Sequence, residues 1–178
     1  MSSDEGKRHR LFFALWPDDA LRLQLNKLNN KIGRHVRGRK MRTENLHITL
    51  AFIGGVDEST CDCLQQMASA IHLPPFQLTL DRLGHFPKPR VIWLGSNETP
   101  EPLQSLVNAV KRGLLECGLE PETRPFHTHL TLMRKVPKNI ILDELEALEW
   151  SISDFCLVES HTLPEGAEYR VLKRWSLQ

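Results

Sequence analysis

The 178-residue sequence has no long apolar segment and almost no net charge. A helix that spans a membrane needs about 18 or more consecutive, mostly apolar residues, and no stretch of this chain approaches that length. Residues 1–8 are polar or charged apart from Met1 and Gly6 and lack the apolar core of a signal peptide. These absences argue against a membrane association and predict a cytoplasmic protein.

Cysteine is also scarce, with four residues in the whole chain. They form no Cys-x-x-Cys pair and have no histidine nearby at zinc-finger spacing, so the sequence indicates neither a disulfide framework nor a structural zinc site. We expect four reduced thiols at Cys61, Cys63, Cys117 and Cys156.

A formal net charge of +1 excludes a generally basic surface for nucleic acid and leaves room for a local one. Residues 34–42 hold five Lys or Arg in nine positions and lead directly into the first motif described below. Such a run is often a solvated loop. Its position favours a second interpretation, in which its cations attract a polyanion without reading its sequence. The candidates are Arg37, Arg39, Lys40 and Arg42.

A short motif occurs twice, as His47-Ile48-Thr49-Leu50 and as His129-Leu130-Thr131-Leu132. Successive side chains of a β-strand point to opposite faces, so each copy presents an imidazole and a hydroxyl on one face and apolar groups on the other. A single histidine of this kind is commonly a half-buried residue bonded to a neighbouring carbonyl. Two copies in matching contexts favour a shared site.

A metal is the main alternative use of two histidines, but it normally recruits a third protein ligand such as Asp, Glu or Cys. Neither motif has such a ligand nearby at suitable spacing, so we expect neither a metal nor another cofactor. With an unperturbed pKa of about 6.5, one histidine can be neutral while the other is protonated near pH 7. A facing pair can therefore act as general base and general acid at once.

Helices are predicted from apolar periodicity and end signals for Pro17 to Gly33, for Asp57, as the capping residue, to about Ile71, and for Pro100 to about Leu115, with a weaker one at Asn139 to about Leu148. Strands are predicted for residues 11–16, 77–83, 91–94, 150–159 and 169–177, with a hairpin joining the second to the third across a basic, proline-rich tip.

The second half of the chain repeats the order of the first, and the two motif histidines are 82 positions apart. Such internal similarity suggests duplication. We predict an α+β fold in which two mainly antiparallel sheets carry their helices on the outside. Residues 1–178 would form a single domain of two pseudo-symmetric halves.

Together these features resemble the RNA 2′,3′-cyclic phosphodiesterases, also called 2′-5′ RNA ligases, of the two-histidine phosphoesterase superfamily. The matching segments are residues 11–15, 45–54, 83–87, 91–95 and 126–134. The arginine two residues after the second motif, Arg134, resembles the pattern of the bacterial branch of this family. The resemblance implies two lobes around a central cleft, with one motif from each lobe lining it.

The resemblance also implies a substrate, RNA that ends in a 2′,3′-cyclic phosphate, opened to a 2′-phosphate, with the same groups joining RNA ends through a 2′-5′ linkage. His47 and His129 would be catalytic, and Thr49, Thr131 and Arg134 would hold the phosphate. We assign His129 as the base and His47 as the acid, although nothing in the sequence distinguishes this from the reverse.

Other residues and functions stay open. Phe86 is a further candidate for RNA binding, His127 could be a third polar group at the site, and His85 and His161 are expected at the surface. Alternative functions are a two-histidine phosphodiesterase acting on a small cyclic nucleotide or 2′-5′ oligoadenylate, and a non-catalytic module that binds RNA ends. No obligate protein partner is evident from the sequence.

Overall fold

The structure, a computed structural model, describes residues 6–178, so part of the segment predicted to lack a signal peptide, residues 1–5, lies outside it. These residues form three α-helices, α1 (Asp19–Gly33), α2 (Glu58–Ser69) and α3 (Glu101–Glu116), and a 3₁₀ turn at Thr43–Asn45. The ten strands are β1 (His9–Leu15), β2 (Arg39–Lys40), β3 (Ile48–Val56), β4 (Phe76–Leu80), β5 (Arg82–Phe86), β6 (Val91–Gly95), β7 (His129–Arg134), β8 (Leu148–Ile152), β9 (Asp154–Leu163) and β10 (Gly166–Ser176).

The strands form two antiparallel sheets, which confirms the predicted α+β class. Eight strands make one sheet in the order β10-β9-β1-β3-β7-β6-β5, with the short β2 added to β7. Strands β4 and β8 pair separately. The two motif strands, β3 and β7, are neighbours in the large sheet and meet where Ile48 lies opposite Leu130.

The two faces of the large sheet have different partners. Alternate residues of β1, Leu11 and Phe13, are fully buried in the main core together with the apolar stripes of the three helices. Phe12 and Ala14 belong instead to a small apolar cluster on the other face, against which Tyr169 packs. The helices therefore cover one face of the sheet and leave the other face open.

Asp residues cap two of the helices, and the sequence predicts the cap at Asp57. The side chains of Asp18 and Asp57 accept hydrogen bonds of 2.8 Å from the backbone N–H groups of Leu21 and Thr60. Each carboxylate satisfies a donor that the first helical turn leaves free and lies at the positive end of the helix dipole. No helix among residues 6–178 is long and apolar enough to cross a membrane.

The predicted helix at 139–148 is wrong. Residues 135–147 form neither helix nor strand, and β8 begins at Leu148. Ile140 and Leu142 pack partly against the core while Ile141, between them, is 94% exposed. This alternation has the period of extended chain, so contacts with the core override the weak helical pattern of this segment.

Two predicted strands are each divided between the sheets. Asp81 separates β4 from β5, and its carboxylate accepts a 2.8 Å hydrogen bond from the backbone N–H of Asn97. Ser153 likewise separates β8 from β9. The predicted hairpin therefore has a different first arm, since β5 pairs with β6 across a tip at 87–90 while β4 pairs with β8.

The expectation of four reduced thiols is also wrong, because Cys63 and Cys117 form a disulfide. It joins α2 to the end of α3 across 54 positions of sequence. Spacing along the chain does not reveal this proximity, since the packing of the two helices creates it. Cys61 and Cys156 are free and buried, and burial raises the pKa of the Cys156 thiol to about 12.

Candidate active site

A cleft of about 280 Å³ lies on the open face of the large sheet. It contains all five residues for which the sequence predicts catalysis or phosphate binding. The complete lining is Arg10, Phe12, Met41, Asn45, His47, Thr49, Phe52, His129, Thr131, Arg134, Ser160 and Tyr169.

The meeting of β3 and β7 explains how the two motifs come together. Ile48 and Leu130 lie opposite each other and are both fully buried on the helix side. Because neighbouring strand residues point the other way, His47 and Thr49 on one strand and His129 on the next all face the cleft.

The two histidines are held by matching hydrogen bonds. Nδ1 of His47 is 2.7 Å from the carbonyl oxygen of Asn45, and Nδ1 of His129 is 2.8 Å from that of His127. A carbonyl can only accept a hydrogen bond, so Nδ1 carries a proton in both rings. Nε2 of each ring is then the nitrogen that can gain or lose a proton.

Aromatic side chains enclose His47. Its ring stacks on Trp16 with centroids 5.3 Å apart and planes 17° apart. Phe12 lies 4.9 Å away, and Tyr169 meets the imidazole edge-on at 5.2 Å. Removal from water lowers the pKa of His47 to about 4, although the bond to the Asn45 carbonyl opposes this change. His47 is therefore neutral at pH 7, and its Nε2 lies 3.0 Å from the Thr49 hydroxyl, which can donate to it.

A second aromatic group lies beside His129. Phe86 meets the imidazole edge-on at 5.8 Å, and Trp93 packs against Phe86 at 5.3 Å. The ring of His127 contacts Trp93 at 4.6 Å, and burial lowers its pKa. His127 therefore meets His129 in two ways: its carbonyl accepts the bond from Nδ1, and its ring lies 5.7 Å from the His129 ring. Neither Phe86 nor the His127 ring lines the cleft.

Both motif strands contain a β-bulge just after the threonine. In β3 the pairing with β1 jumps from Thr49 to Ala51, so Leu50 and Ala51 are both buried. A bulge adds one residue and reverses the later alternation. As a result Phe52 returns to the cleft side, where it is 55% exposed and Arg10 lies 5.5 Å from the centre of its ring.

The bulge in β7 has the same form. Leu132 is skipped in the pairing with β6, Leu132 and Met133 are both buried, and Arg134 then faces the cleft. The Leu132 carbonyl accepts hydrogen bonds from the buried Asn29 side chain at 3.0 Å and from the Met41 backbone at 2.9 Å. The matching bulges support the internal duplication, which stays a prediction.

The basic run, residues 34–42, divides between two surfaces. Arg39, Lys40 and Arg42 line a second cavity of about 370 Å³ that adjoins the cleft. Arg37 lines a separate hollow beside the end of α1. Of the four candidates from this run, Arg37 is therefore the one that the structure does not bring to the site.

The two histidines that the sequence places at the surface, His85 and His161, differ from each other in exposure. The side chain of His161 is 44% exposed, as expected, and lies 3.1 Å from Glu159. His85 is only partly exposed, and its Nε2 is buried without a hydrogen-bonding partner among residues 6–178.

Among residues 6–178, no group of three His, Cys, Asp or Glu residues could hold a metal ion. The metal-free reaction stays a prediction.

Sequence reasoning missed Trp16, Phe52 and Tyr169 as neighbours of the site. Phe52 follows its motif histidine at the same interval as Arg134 follows His129, which is the one signal that could have found it. Trp16 and Tyr169 lie far from both motifs in sequence, and only strand pairing brings them to His47.

Comparison with known proteins shows which family the chain resembles. The family model of the 2′-5′ RNA ligase superfamily matches residues 17–163. The RNA 2′,3′-cyclic phosphodiesterase of Escherichia coli is 34% identical over 170 residues, which cover 94% of this chain and 96% of the relative. A protein of the same name from Archaeoglobus fulgidus is 31% identical and covers 92% and 98%.

Solved structures show the same similarity. Escherichia coli LigT superposes with a TM-score of 0.88 at 32% identity, both in its apo form, which covers 97% of this chain and 99% of LigT, and in complex with 3′-AMP, which covers 96% and 99%. The match of the family model over most of the chain is thus joined by relatives above 30% identity along nearly its whole length. The chain belongs to the 2′-5′ RNA ligase superfamily.

Proposed function

We propose that this protein opens the 2′,3′-cyclic phosphate at the end of an RNA to a 2′-phosphate, with His47 and His129 as a metal-independent acid and base pair. The observation that carries the proposal is the matched arrangement of the two imidazoles. Both face one cleft, both have Nδ1 bonded to a carbonyl, and both keep Nε2 for proton transfer. The names of the relatives support the same substrate.

Hydrolysis needs two proton transfers. One histidine takes a proton from water as the water oxygen bonds to phosphorus, and the other gives a proton to the ribose 3′-oxygen as its bond to phosphorus breaks. The 2′-oxygen keeps the phosphate. A 5′-hydroxyl in place of water would give a 2′-5′ linkage by the same transfers.

The pKa of His47 favours an assignment opposite to the one made from the sequence. A group with a pKa of about 4 is unprotonated at pH 7 and can accept a proton from water at once. We therefore assign His47 as the base and His129 as the acid in hydrolysis. Sequence alone could not decide this because the aromatic enclosure of His47 comes from distant strands.

The other polar groups in the cleft have roles at the phosphate. Thr131 and Arg134 line the cleft together with both histidines and can donate hydrogen bonds to the nonbridging oxygens. Donors fixed in place before reaction stabilise the negative charge that builds on these oxygens. Thr49 can donate to the same oxygens once it releases His47.

Within the lining of the cleft, Phe52 and Arg10 are suited to a nucleobase. More than half of the Phe52 side chain is exposed, and the guanidinium of Arg10 lies over its ring. Stacking on an aromatic ring contributes about 1–3 kcal/mol per base and accepts every base. We therefore place the terminal base against the Phe52 ring.

A cytoplasmic location stays a prediction.

The decisive experiment is turnover of an oligoribonucleotide with a 2′,3′-cyclic phosphate end in the presence of EDTA. We expect the wild-type protein and the control His72→Ala to form the 2′-phosphate, since His72 is exposed and remote from the cleft. His47→Ala and His129→Ala should each lose several orders of magnitude in kcat. Binding of the RNA without turnover would instead indicate a non-catalytic module, and loss of activity in EDTA would indicate a metal.

A further inference from the structure

A second cavity adjoins the catalytic cleft on the side of Arg134. Its volume is about 370 Å³, and it shares Met41, Asn45, Arg134 and Tyr169 with the cleft. We call this cavity the basic groove. It is continuous with the site where the cyclic phosphate reacts under the proposed function, so a chain that leaves that site can enter it.

Cations dominate the basic groove. Five Lys or Arg residues line it, against a single carboxylate, that of Glu165; the cations are Arg39, Lys40, Arg42, Arg134 and Lys135. The ammonium of Lys40 donates a hydrogen bond to Asn30 on α1, so the other four cations carry the argument. Arg39 donates a hydrogen bond to the backbone oxygen of Glu165, not to its carboxylate. Among residues 6–178, Arg42, Arg134 and Lys135 have no acidic side chain within salt-bridge distance.

The backbone brings like charges together. Arg39 on β2 lies directly opposite Arg134 on β7. Residues that face each other across an antiparallel pair have Cβ atoms about 5 Å apart, and like charges in that position destabilise a sheet. The next residue, Lys135, is a further cation. Its backbone φ is 56°, in the left-handed region, which costs residues other than glycine free energy. An anion bound between Arg39 and Arg134 would offset the repulsion between their charges.

We propose that the basic groove binds the phosphodiester backbone of RNA upstream of the terminal nucleotide, which deepens the proposed function and rests on it. Lys and Arg neutralise phosphates without reading sequence. The groove therefore makes the enzyme favour an oligonucleotide over a mononucleotide cyclic phosphate. It is not needed for the chemical step, because Arg39, Arg42 and Lys135 lie outside the lining of the catalytic cleft.

The test compares two substrates, an oligoribonucleotide and a mononucleotide, both ending in a 2′,3′-cyclic phosphate. The variant is the triple substitution Arg39→Gln, Arg42→Gln and Lys135→Gln. A matched control is Arg37→Gln, which removes a charge from the same run but lines another surface. Circular dichroism and thermal unfolding show whether each variant is folded.

For the triple variant we expect the ratio of kcat/KM for the oligonucleotide to kcat/KM for the mononucleotide to fall about tenfold, through KM. The log-log dependence of the oligonucleotide KM on salt should become flatter by about 0.7 for each phosphate that the variant no longer neutralises. Arg37→Gln should keep the wild-type ratio.

Three outcomes would overturn the inference. An equal loss of kcat/KM with both substrates would mean that these residues act in the catalytic centre or in folding. An unchanged ratio in the triple variant would mean that the RNA binds elsewhere. An equal effect of Arg37→Gln would mean that the net charge of the protein, and not the groove, sets the preference. Each is distinct from failure of the proposed function, in which the wild-type protein would open neither substrate.

Discussion

The indole of Trp16 lies nearly parallel to the imidazole of His47, with centroids 5.3 Å apart and an angle of 17° between the planes. The guanidinium of Arg22 lies 5.3 Å from the centre of the Trp16 ring. The Trp16 indole therefore packs against both the His47 imidazole and the Arg22 guanidinium, and it keeps water from one face of the imidazole.

From the stacking of Trp16 on His47 we predict that Trp16→Ala changes the pH profile of kcat/KM. Burial lowers the pKa of His47 to about 4, and the base must be neutral, so activity of the wild-type enzyme should fall only as the pH drops toward 4. Trp16→Ala admits water and raises this pKa toward 6.5. The acidic limb of kcat/KM should then move up by about one to two pH units.

Trp16→Phe is the matched control, since it keeps an aromatic cover and should leave the limb near its wild-type position. NMR titration of the His47 ring would follow the same pKa directly. An acidic limb that does not move in Trp16→Ala would show either that Trp16 does not set this pKa or that His47 is not the base.

The histidine pair predicts strong non-additivity. His47→Ala and His129→Ala should each lower kcat by several orders of magnitude, and the double variant should be little worse than either single one, because residues that act as one unit share their effect. Single-turnover kinetics on a cyclic-phosphate oligonucleotide would measure all three. Losses that multiply in the double variant would mean that the two residues act in separate steps.

The exposed ring of Phe52 predicts a contact with the terminal base. Phe52→Leu keeps apolar volume but removes the aromatic face, so KM for a mononucleotide cyclic phosphate should rise about tenfold while kcat changes little. Phe52→Trp should restore binding. Phe86→Leu is the comparison, since Phe86 lies beside His129 but outside the cleft lining. A larger KM effect from Phe86→Leu would move the base to that side.

The disulfide predicts a stability that depends on reductant. Cys63 and Cys117 close a loop of 54 positions, for which the chain-entropy model gives about 4 kcal/mol of stabilisation. Reduction should lower the free energy of unfolding by up to that amount and leave activity at 25 °C unchanged, because the bond joins helices on the covered side of the sheet. Cys63→Ser combined with Cys117→Ser should be insensitive to dithiothreitol. Four reactive thiols in unfolded wild-type protein prepared without reductant would contradict the bond.

The parts of the site that sequence could predict are the local ones. His47, Thr49, His129 and Thr131 follow from strand alternation within four residues. Phe52 does not, because a bulge that depends on the register with β1 turns it toward the cleft. The proposed assignment of His47 as the base is equally non-local, since it rests on the enclosure of His47 by Trp16 and Tyr169.

The fold shows the same limit. The capped helix start at Asp57 is a local signal, and the structure confirms it. The break at Asp81 and the extended course of residues 139–147 depend on which surface each side chain meets after folding. The Cys63 to Cys117 bond depends on how α2 and α3 pack. These features need tertiary contacts that periodicity does not contain.

The last prediction concerns the packing of Trp93 on Gly84, next to Phe86 and His129. Trp93 lies across Gly84, its partner on the neighbouring strand, so closely that a Cβ atom at Gly84 would be 2.0 Å from the indole. Gly84→Ala should therefore lift the indole and destabilise the fold by about 1–3 kcal/mol, the usual cost of overpacking. Because Trp93 supports Phe86, which contacts His129, kcat should fall as well. The control is Gly55→Ala in the same sheet, where a Cβ would meet only the Arg8 side chain at 3.4 Å. Chemical denaturation and kcat on a mononucleotide substrate measure both effects, and a Gly84→Ala protein as stable and active as Gly55→Ala would show that this close packing has no role at the site.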